Sequence, residues 1–228
     1  MLEDEETKVK LLNVLSVTTT VCTFFQFISG SEVVLSFRKK GNTGDTSSLP
    51  FVVGTANSVI WFKYGVLVDQ ANMKIVNAMG FFFLGGYAVA FYVYALRRSS
   101  INKQIFCAMA SLFTLLAFVD RQETKEEKLA LLGSVGAALS VLFCAAPLAS
   151  IGAVVKNKTS ESLPFYMILM TFVITLQWWM FGFLIGDVFI CYPNAIGCLV
   201  SGIQLYLFVI YPRRRKHQKL SNSETFNT

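Results

Sequence analysis

The sequence predicts an all-α integral membrane protein of seven transmembrane helices, written as two parallel three-helix repeats joined by a single linking span. Three observations carry that prediction. The 228 residues are 54% hydrophobic and 15% charged, against about 25% charged in ordinary soluble domains, and the mean hydropathy is +0.54. The charges bunch between seven apolar stretches, most of them near the roughly 20 residues that cross a bilayer. Finally, "IWFKYGVLVDQANMKIVNAMG" (Ile60–Gly80) is rewritten as "QWWMFGFLIGDVFICYPNAIG" (Gln177–Gly197). Trp61 and Trp178, Gly65 and Gly182, Asn77 and Asn194, and Gly80 and Gly197 each stand 117 residues apart.

The elements follow in order. Residues 1–10, "MLEDEETKVK", are acidic where a cleavable signal would be basic, so the first span is expected to be its own insertion signal behind an extracellular amino terminus. Residues 11–96 form the first bundle, with spans at Leu11–Phe37, Leu49–Val68 and Ile75–Leu96. The second of these is rich in Val, Gly and Asn and has a weak apolar signal. Residues 97–128 hold the linker, whose span Ile105–Val119 is the shortest. Residues 129–211 form the second bundle, with spans at Leu129–Val155, Leu163–Ile185 and Val188–Tyr211. Residues 212–228 are a polar tail. The duplication extends upstream, where "GNTGDTSSLPF" is matched by "KTSESLPF". Because one span separates the copies, both have the same orientation.

Orientation comes from the basic residues. Arg38–Lys40, Arg97–Lys103, Lys156–Lys158 and the cluster after Pro212 hold thirteen of the 20 Lys and Arg, and all follow odd-numbered spans. Basic loops face the cytosol, so the amino terminus is expected outside, or lumenal, and the tail in the cytosol. The net charge of +6 then reflects contact with an anionic leaflet and implies no nucleic acid. The five cysteines lie in or beside spans with no CxxC spacing, which reads as packing between helices and not as a metal site or disulfide framework. His217, the only histidine, sits in the tail and makes no case for catalysis. No cofactor and no enzymatic activity are expected.

A repeat about an axis along the membrane normal places equivalent residues at equal depth across that axis. Asn77 and Asn194 both follow a short outer loop, so two amides meet near mid-membrane, each with donors and acceptors. Trp61 and Trp178 add flat apolar faces nearby. An Asn in a membrane helix often only bonds a neighbour, for about 0.6 kcal/mol, but a matched pair at one depth reads as a site for a polyhydroxylated ring. Pro147, inside span five, removes a backbone donor and kinks the helix; Gly30 or Ser31 occupies the matching place in span one. Both are read as hinges. Pro50 and Pro164 open spans two and six, where Pro costs no hydrogen bond. Pro193 and Pro212 are read as helix start and stop signals. No acidic pair reaches the membrane centre, which favours passive transport over ion coupling; Glu32, near the inner end of span one, is the one acidic group that leaves coupling open.

"WFKYG", "VNAMG", "AAPLAS", "KTSESLPF", "QWWMFG" and "YPNAIGC" resemble the SWEET sugar facilitators of the MtN3/saliva group, with a spelling nearest to animal members, over about residues 12–212. The resemblance implies two triple-helix bundles joined by a linker helix, and SWEET transporters are themselves the standing example of parallel repeats about the membrane normal. It implies movement of mono- or disaccharides down their gradient, with substrate contacts at Asn77, Asn194, Trp61 and Trp178. It also implies an extracellular gate at Tyr64 and Asp187 and hinges at Pro50, Pro147 and Pro164. The family's first-span proline is missing. Trp61 is bulkier than the residue many plant members carry, which favours a monosaccharide. The expected partners are a small sugar and the lipid bilayer of the plasma membrane or Golgi, with self-assembly into a homo-oligomer left open. The main alternative is a proton-coupled PQ-loop amino-acid carrier, which would share the repeat but want a central carboxylate. A seven-span receptor would show no repeat, and an intramembrane enzyme would need paired catalytic groups at mid-depth.

Overall fold

Inside hydrocarbon every backbone N–H and C=O must be satisfied within the protein, so a chain can span only as helices or a closed barrel. This chain coils. The computed structural model describes residues 2–213, in which nine helices make seven rods. These are α1 (Leu2–Ser29) with α2 (Ser31–Lys40), α3 (Leu49–Leu67), α4 (Ala71–Tyr94), α5 (Ser99–Asp120), α6 (Lys125–Leu142) with α7 (Ala145–Asn157), α8 (Phe165–Ile185) and α9 (Val188–Ile210). His217 and the tail beyond residue 213 lie outside the described residues.

Several elements differ from the expectation. The acidic amino-terminal segment is helical from Leu2 and continues into α1. The linker helix runs through Ser99–Asp120, longer at its start than the apolar stretch, because its polar first turn is helical too. Six of the rods are long and apolar enough to cross a membrane by composition, and α3 is not among them. The reason is structural: α3 packs against α4, α5 and α6, and its polar side chains find partners there. Asn57 donates to Ser140 of α6, and Lys63 pairs with Asp120 of α5.

The packing repeats as the sequence does. In the first bundle α4 lies between α1/α2 and α3; in the second α9 lies between α6/α7 and α8. Between bundles α1 meets α8 and α6 meets α3, the same contact with the copies exchanged, as a twofold axis requires. Equivalent glycines touch equivalent neighbours. A Cβ on Gly80 would lie 2.6 Å from Ser58 Oγ, and one on Gly197 would lie 3.0 Å from the corresponding Thr175. A Cβ on Gly65 would lie 2.9 Å from Met73, and one on Gly182 would lie 2.8 Å from the Cys191 amide nitrogen. These four glycines let α3 and α4, and α8 and α9, approach backbone to backbone. The linker helix α5 packs across α3 and α6.

The first rod of each bundle is interrupted. At Gly30 the amide bonds Phe27 O at 3.0 Å more closely than Gln26 O at 3.4 Å, a local tightening of the helix. In the second bundle the interruption falls at Phe143–Cys144, one turn before Pro147. A proline ring collides with the carbonyl four residues back, which is that of Phe143, so the break lies where the ring displaces the chain.

Three apolar cores stabilise the assembly. One joins both bundles at the end where α4 and α9 begin: Ile60, Trp61 and Tyr64 of α3, Met73 of α4, Val119 of α5, Leu132 of α6 and Ile190 of α9. At the opposite end each bundle has its own, Phe37, Val52, Phe91 and Ile101 in the first and Val154, Leu163, Ile168 and Leu207 in the second. The bundles are therefore fused at one end and separate at the other. A Gly182→Ala substitution is expected to lower stability by about 1–3 kcal/mol, the usual range for overpacking. Gly152→Ala, with open space at its Cβ, is expected to be neutral or to raise stability slightly; thermal unfolding in detergent checks both.

Candidate functional site

Where the bundles separate, a cavity of about 330 Å³ opens between them, lined from α3, α4, α8 and α9 and from the α6–α7 rod. Asn77 and Asn194 both line it. Each is the seventh residue of its helix, about 9 Å along the axis at 1.5 Å per residue. Their side chains are held alike. Asn77 Nδ2 donates to Met73 O at 2.9 Å, and Asn194 Nδ2 donates to Ile190 O at 2.7 Å. That bond to the preceding turn fixes each amide, and neither Oδ1 accepts a hydrogen bond among the described residues.

Trp61 and Trp178 also line the cavity, but they are not equivalent in their bonding. Trp61 Nε1 donates to Ser140 Oγ at 3.2 Å, and its ring lies against Gly136, where a Cβ would be 3.0 Å away. Trp178 packs edge-on against Phe181 at 5.6 Å, and its N–H donates to no acceptor among the described residues. From the repeated residues, the cavity therefore offers one free indole donor and two free amide oxygens.

Toward the fused end, beyond the cavity wall, Tyr64 and Asp187 join the two bundles. Tyr64, 2% exposed, donates through its hydroxyl to Asp187 Oδ2 at 2.6 Å. The other carboxylate oxygen accepts from the backbone N–H of Phe189 at 3.0 Å and Ile190 at 3.2 Å, so Asp187 also caps α9. Phe189 packs on the Tyr64 ring and over Gly133, where a Cβ would meet it at 2.4 Å. The equivalent positions in the other copies are Phe181, which lacks a hydroxyl, and Gln70, whose side chain makes no cap. Of the two symmetry-related pairs, Tyr64–Asp187 is joined by a hydrogen bond and Phe181–Gln70 has no hydroxyl to make one. Beside it, the hydrogen bond and charge of Lys74 hold the Asp69 carboxyl below its ordinary pKa.

The three prolines are not brought together. Pro147 lines the cavity. Pro50 is the second residue of α3 and Pro164 is the capping residue of α8, both at the separated end and away from the cavity wall. Pro193 departs from its reading as a helix start: α9 begins at Val188, and Pro193 sits buried inside it on the cavity wall. Glu32 stands exposed in the first turn of α2 and does not line the cavity. Sequence reasoning missed Asn57, Ser140, Thr171, Thr175 and Gln204, all on the wall. Asn57 Nδ2 donates to the same Ser140 hydroxyl as Trp61, at 3.4 Å, while its Oδ1 is buried without a hydrogen bond. Its position one turn before Trp61 was the available signal. The repeat gave none, because the matching residue is Ile174.

Comparison with known proteins agrees with the geometry. A family described as sugar efflux transporters for intercellular exchange matches twice, at residues 13–99 and 130–216, one match for each bundle. The chain belongs to this SWEET (MtN3/saliva) family. It is 36% identical over 202 residues to a sugar transporter SWEET1 of Drosophila pseudoobscura pseudoobscura, covering 88% of this chain and 89% of that one. It is 30% identical over 213 residues to a SWEET1 of Caenorhabditis elegans, covering 93% and 69%. A eukaryotic SWEET transporter solved at 3.7 Å shares the fold, with a TM-score of 0.80 at 24% identity over 88% of this chain and 98% of that chain. The SWEET assignment makes the protein a multi-pass sugar transporter and not an enzyme.

Because Asp187 both receives Tyr64 and caps α9, the two gate substitutions should differ. Tyr64→Phe is expected to cost about 1.5–3 kcal/mol, one hydrogen bond to a charged group. Asp187→Ala is expected to cost about 1 kcal/mol more through the lost cap. Unfolding midpoints of the purified variants, with Asp187→Asn as the cap-retaining control, measure the difference.

Proposed function

We propose that this transporter carries monosaccharides, glucose among them, in both directions by facilitated uniport, exposing its cavity alternately to each side. The observation that carries the reading is the wall itself: amides, indoles and hydroxyls, with no charged side chain among the lining residues. The volume of about 330 Å³ lies at the small end for ligand sites. Asn77 and Asn194 would accept from sugar hydroxyls, Trp178 would donate, and the two indoles would face the ring's C–H surfaces. A proton-coupled amino-acid carrier would want a carboxylate here, and none is among the lining residues.

Positive-inside bias puts the separated end, with Arg38–Lys40, Arg97–Lys103 and Lys156–Lys158, in the cytosol and the amino terminus outside, in the plasma membrane or Golgi. The structure then corresponds to the inward-facing state, with Tyr64 and Asp187 as the closed extracellular gate. Opening would split the fused core and join the separate ones, with the bundles rocking about Gly30, Pro147, Pro50 and Pro164. The protein may be tested as a monomer or homo-oligomer alike, since the whole cavity lies within one chain.

The test is uptake of radiolabelled glucose into cells lacking their own hexose carriers, at mildly acid and at neutral pH. Asn77→Ala and Asn194→Ala, at matched surface levels, are each expected to lower uptake about tenfold or more, the scale of a lost hydrogen bond of about 1.4 kcal/mol. Wild-type uptake is expected to be independent of pH. Uptake that collapses when the proton gradient is dissipated would overturn the uniport reading, and absence of uptake across a panel of sugars would overturn the substrate class.

A further inference from the structure

Tyr87 in α4 stands 117 residues before Gln204 in α9, so the two hold equivalent places in the repeats. Each reaches the interrupted rod of its own bundle near the interruption, Gln204 on the α7 side of it and Tyr87 on the α1 side. Gln204 Nε2 donates to Ser150 Oγ at 2.8 Å and Pro147 O at 3.4 Å. The Tyr87 hydroxyl donates to Phe27 O, three residues before the break at Gly30. The ring also lies directly on Gly30, where a Cβ would come within 2.9 Å of Cε2.

The two breaks differ in what enforces them. In the second bundle Pro147 does so covalently, by lacking an N–H and colliding with the Phe143 carbonyl. In the first bundle no proline occurs before Pro50. Glycine permits an interruption but does not impose one, so the bend over α1–α2 must be held from outside. Tyr87 is 9% exposed, with its ring against Phe51 and Phe83, so water competes little for its hydroxyl. That hydroxyl gives the Phe27 carbonyl a donor besides the Gly30 amide, and its ring occupies the space a continuous rod with a side chain at position 30 would need.

We propose that Tyr87 is a positioning residue of the transport cycle, whose hydroxyl latches the α1–α2 break in the state where Tyr64 and Asp187 are closed, replacing in the first bundle the constraint that Pro147 supplies in the second. The proposal rests on the alternating-access reading above. Its test therefore reads conformation without any sugar, so that a wrong substrate assignment leaves it decidable.

Cys144 lines the cavity and serves as the reporter, in protein whose other four cysteines are changed to serine. Its labelling by a membrane-impermeant maleimide, applied from the side of the basic loops to vesicles of the full chain, follows the population of the open cavity. Tyr87→Phe keeps the ring and removes the donor; it is expected to shift the open-to-closed ratio about fivefold toward closed, the weight of one net hydrogen bond. Tyr87→Gln loses the ring but restores the amide donor found at the matching position, and it is expected to return the ratio to that of the parent. Gly30→Ala, which drives the ring off the break while leaving Tyr87 in place, is expected to shift the ratio in the same direction as Tyr87→Phe. The proposal is overturned if Tyr87→Phe labels at the parent rate, or if Tyr87→Gln is more impaired than Tyr87→Phe. That second order is the one a purely packing role for the ring produces.

Discussion

A carboxylate at a seam between helices must be given donors, because an unpaired charge out of water costs several kcal/mol. Asp187 receives three, and they come from both copies of the repeat: the Tyr64 hydroxyl from the first bundle and the backbone of Phe189 and Ile190 from the second. Satisfying this one group draws α3 against the start of α9. The apolar neighbours then close around it, Phe189 over Gly133 and the Trp61 ring against Gly136, and the core common to both bundles forms there. At the other end no such group joins the copies among the described residues, and two separate cores form instead. The cavity is the volume left between a fused end and a divided one.

The scaffold is symmetric while its polar chemistry is not. Helix order, glycine contacts and the pinned Asn77 and Asn194 are duplicated closely. Tyr64 answers to Phe181, Asp187 to Gln70, Asn57 to Ile174 and Tyr87 to Gln204. This division has a physical logic. On the alternating-access reading proposed above, two bundles that move against each other need matching steric surfaces, so backbone approach is preserved. A small asymmetric ligand presents different groups to its two sides, and a gate needs only one donor meeting one acceptor, so side-chain identity is free to diverge.

That division also decides what was legible in the sequence. Asn77, Asn194, Trp61 and Trp178 were readable because the repeat printed them twice, and all four stand on the cavity wall. Asn57, matched by Ile174, was not, because a polar residue without a mate looks like ordinary helix-to-helix bonding until its neighbours are known. The weak apolarity of α3 was visible, but its cause, three flanking helices, is tertiary. The break at Phe143–Cys144 could have been placed from Pro147 by counting back to the carbonyl its ring displaces. The gate pair came from family resemblance alone, since nothing in spacing or composition ties residue 64 to residue 187.

On the proposed uniport reading, the Tyr64–Asp187 pair would serve as the gate of a carrier that moves without an energy source. Such a carrier must open its closed end by thermal fluctuation alone, so the tie there has to be specific yet weak. A buried ion pair would meet the first need and fail the second, because separating buried opposite charges costs about 3–5 kcal/mol. A phenol donating to a carboxylate that keeps two backbone donors is different. When Tyr64 swings away, Asp187 still holds the N–H groups of Phe189 and Ile190, so its charge is never left bare. The cost of opening is then near that of a single hydrogen bond to a charged group, about 1.5–3 kcal/mol, which thermal motion crosses readily. On that reading, the residue that closes the gate would also limit the energy needed to open it, by keeping its cap on α9.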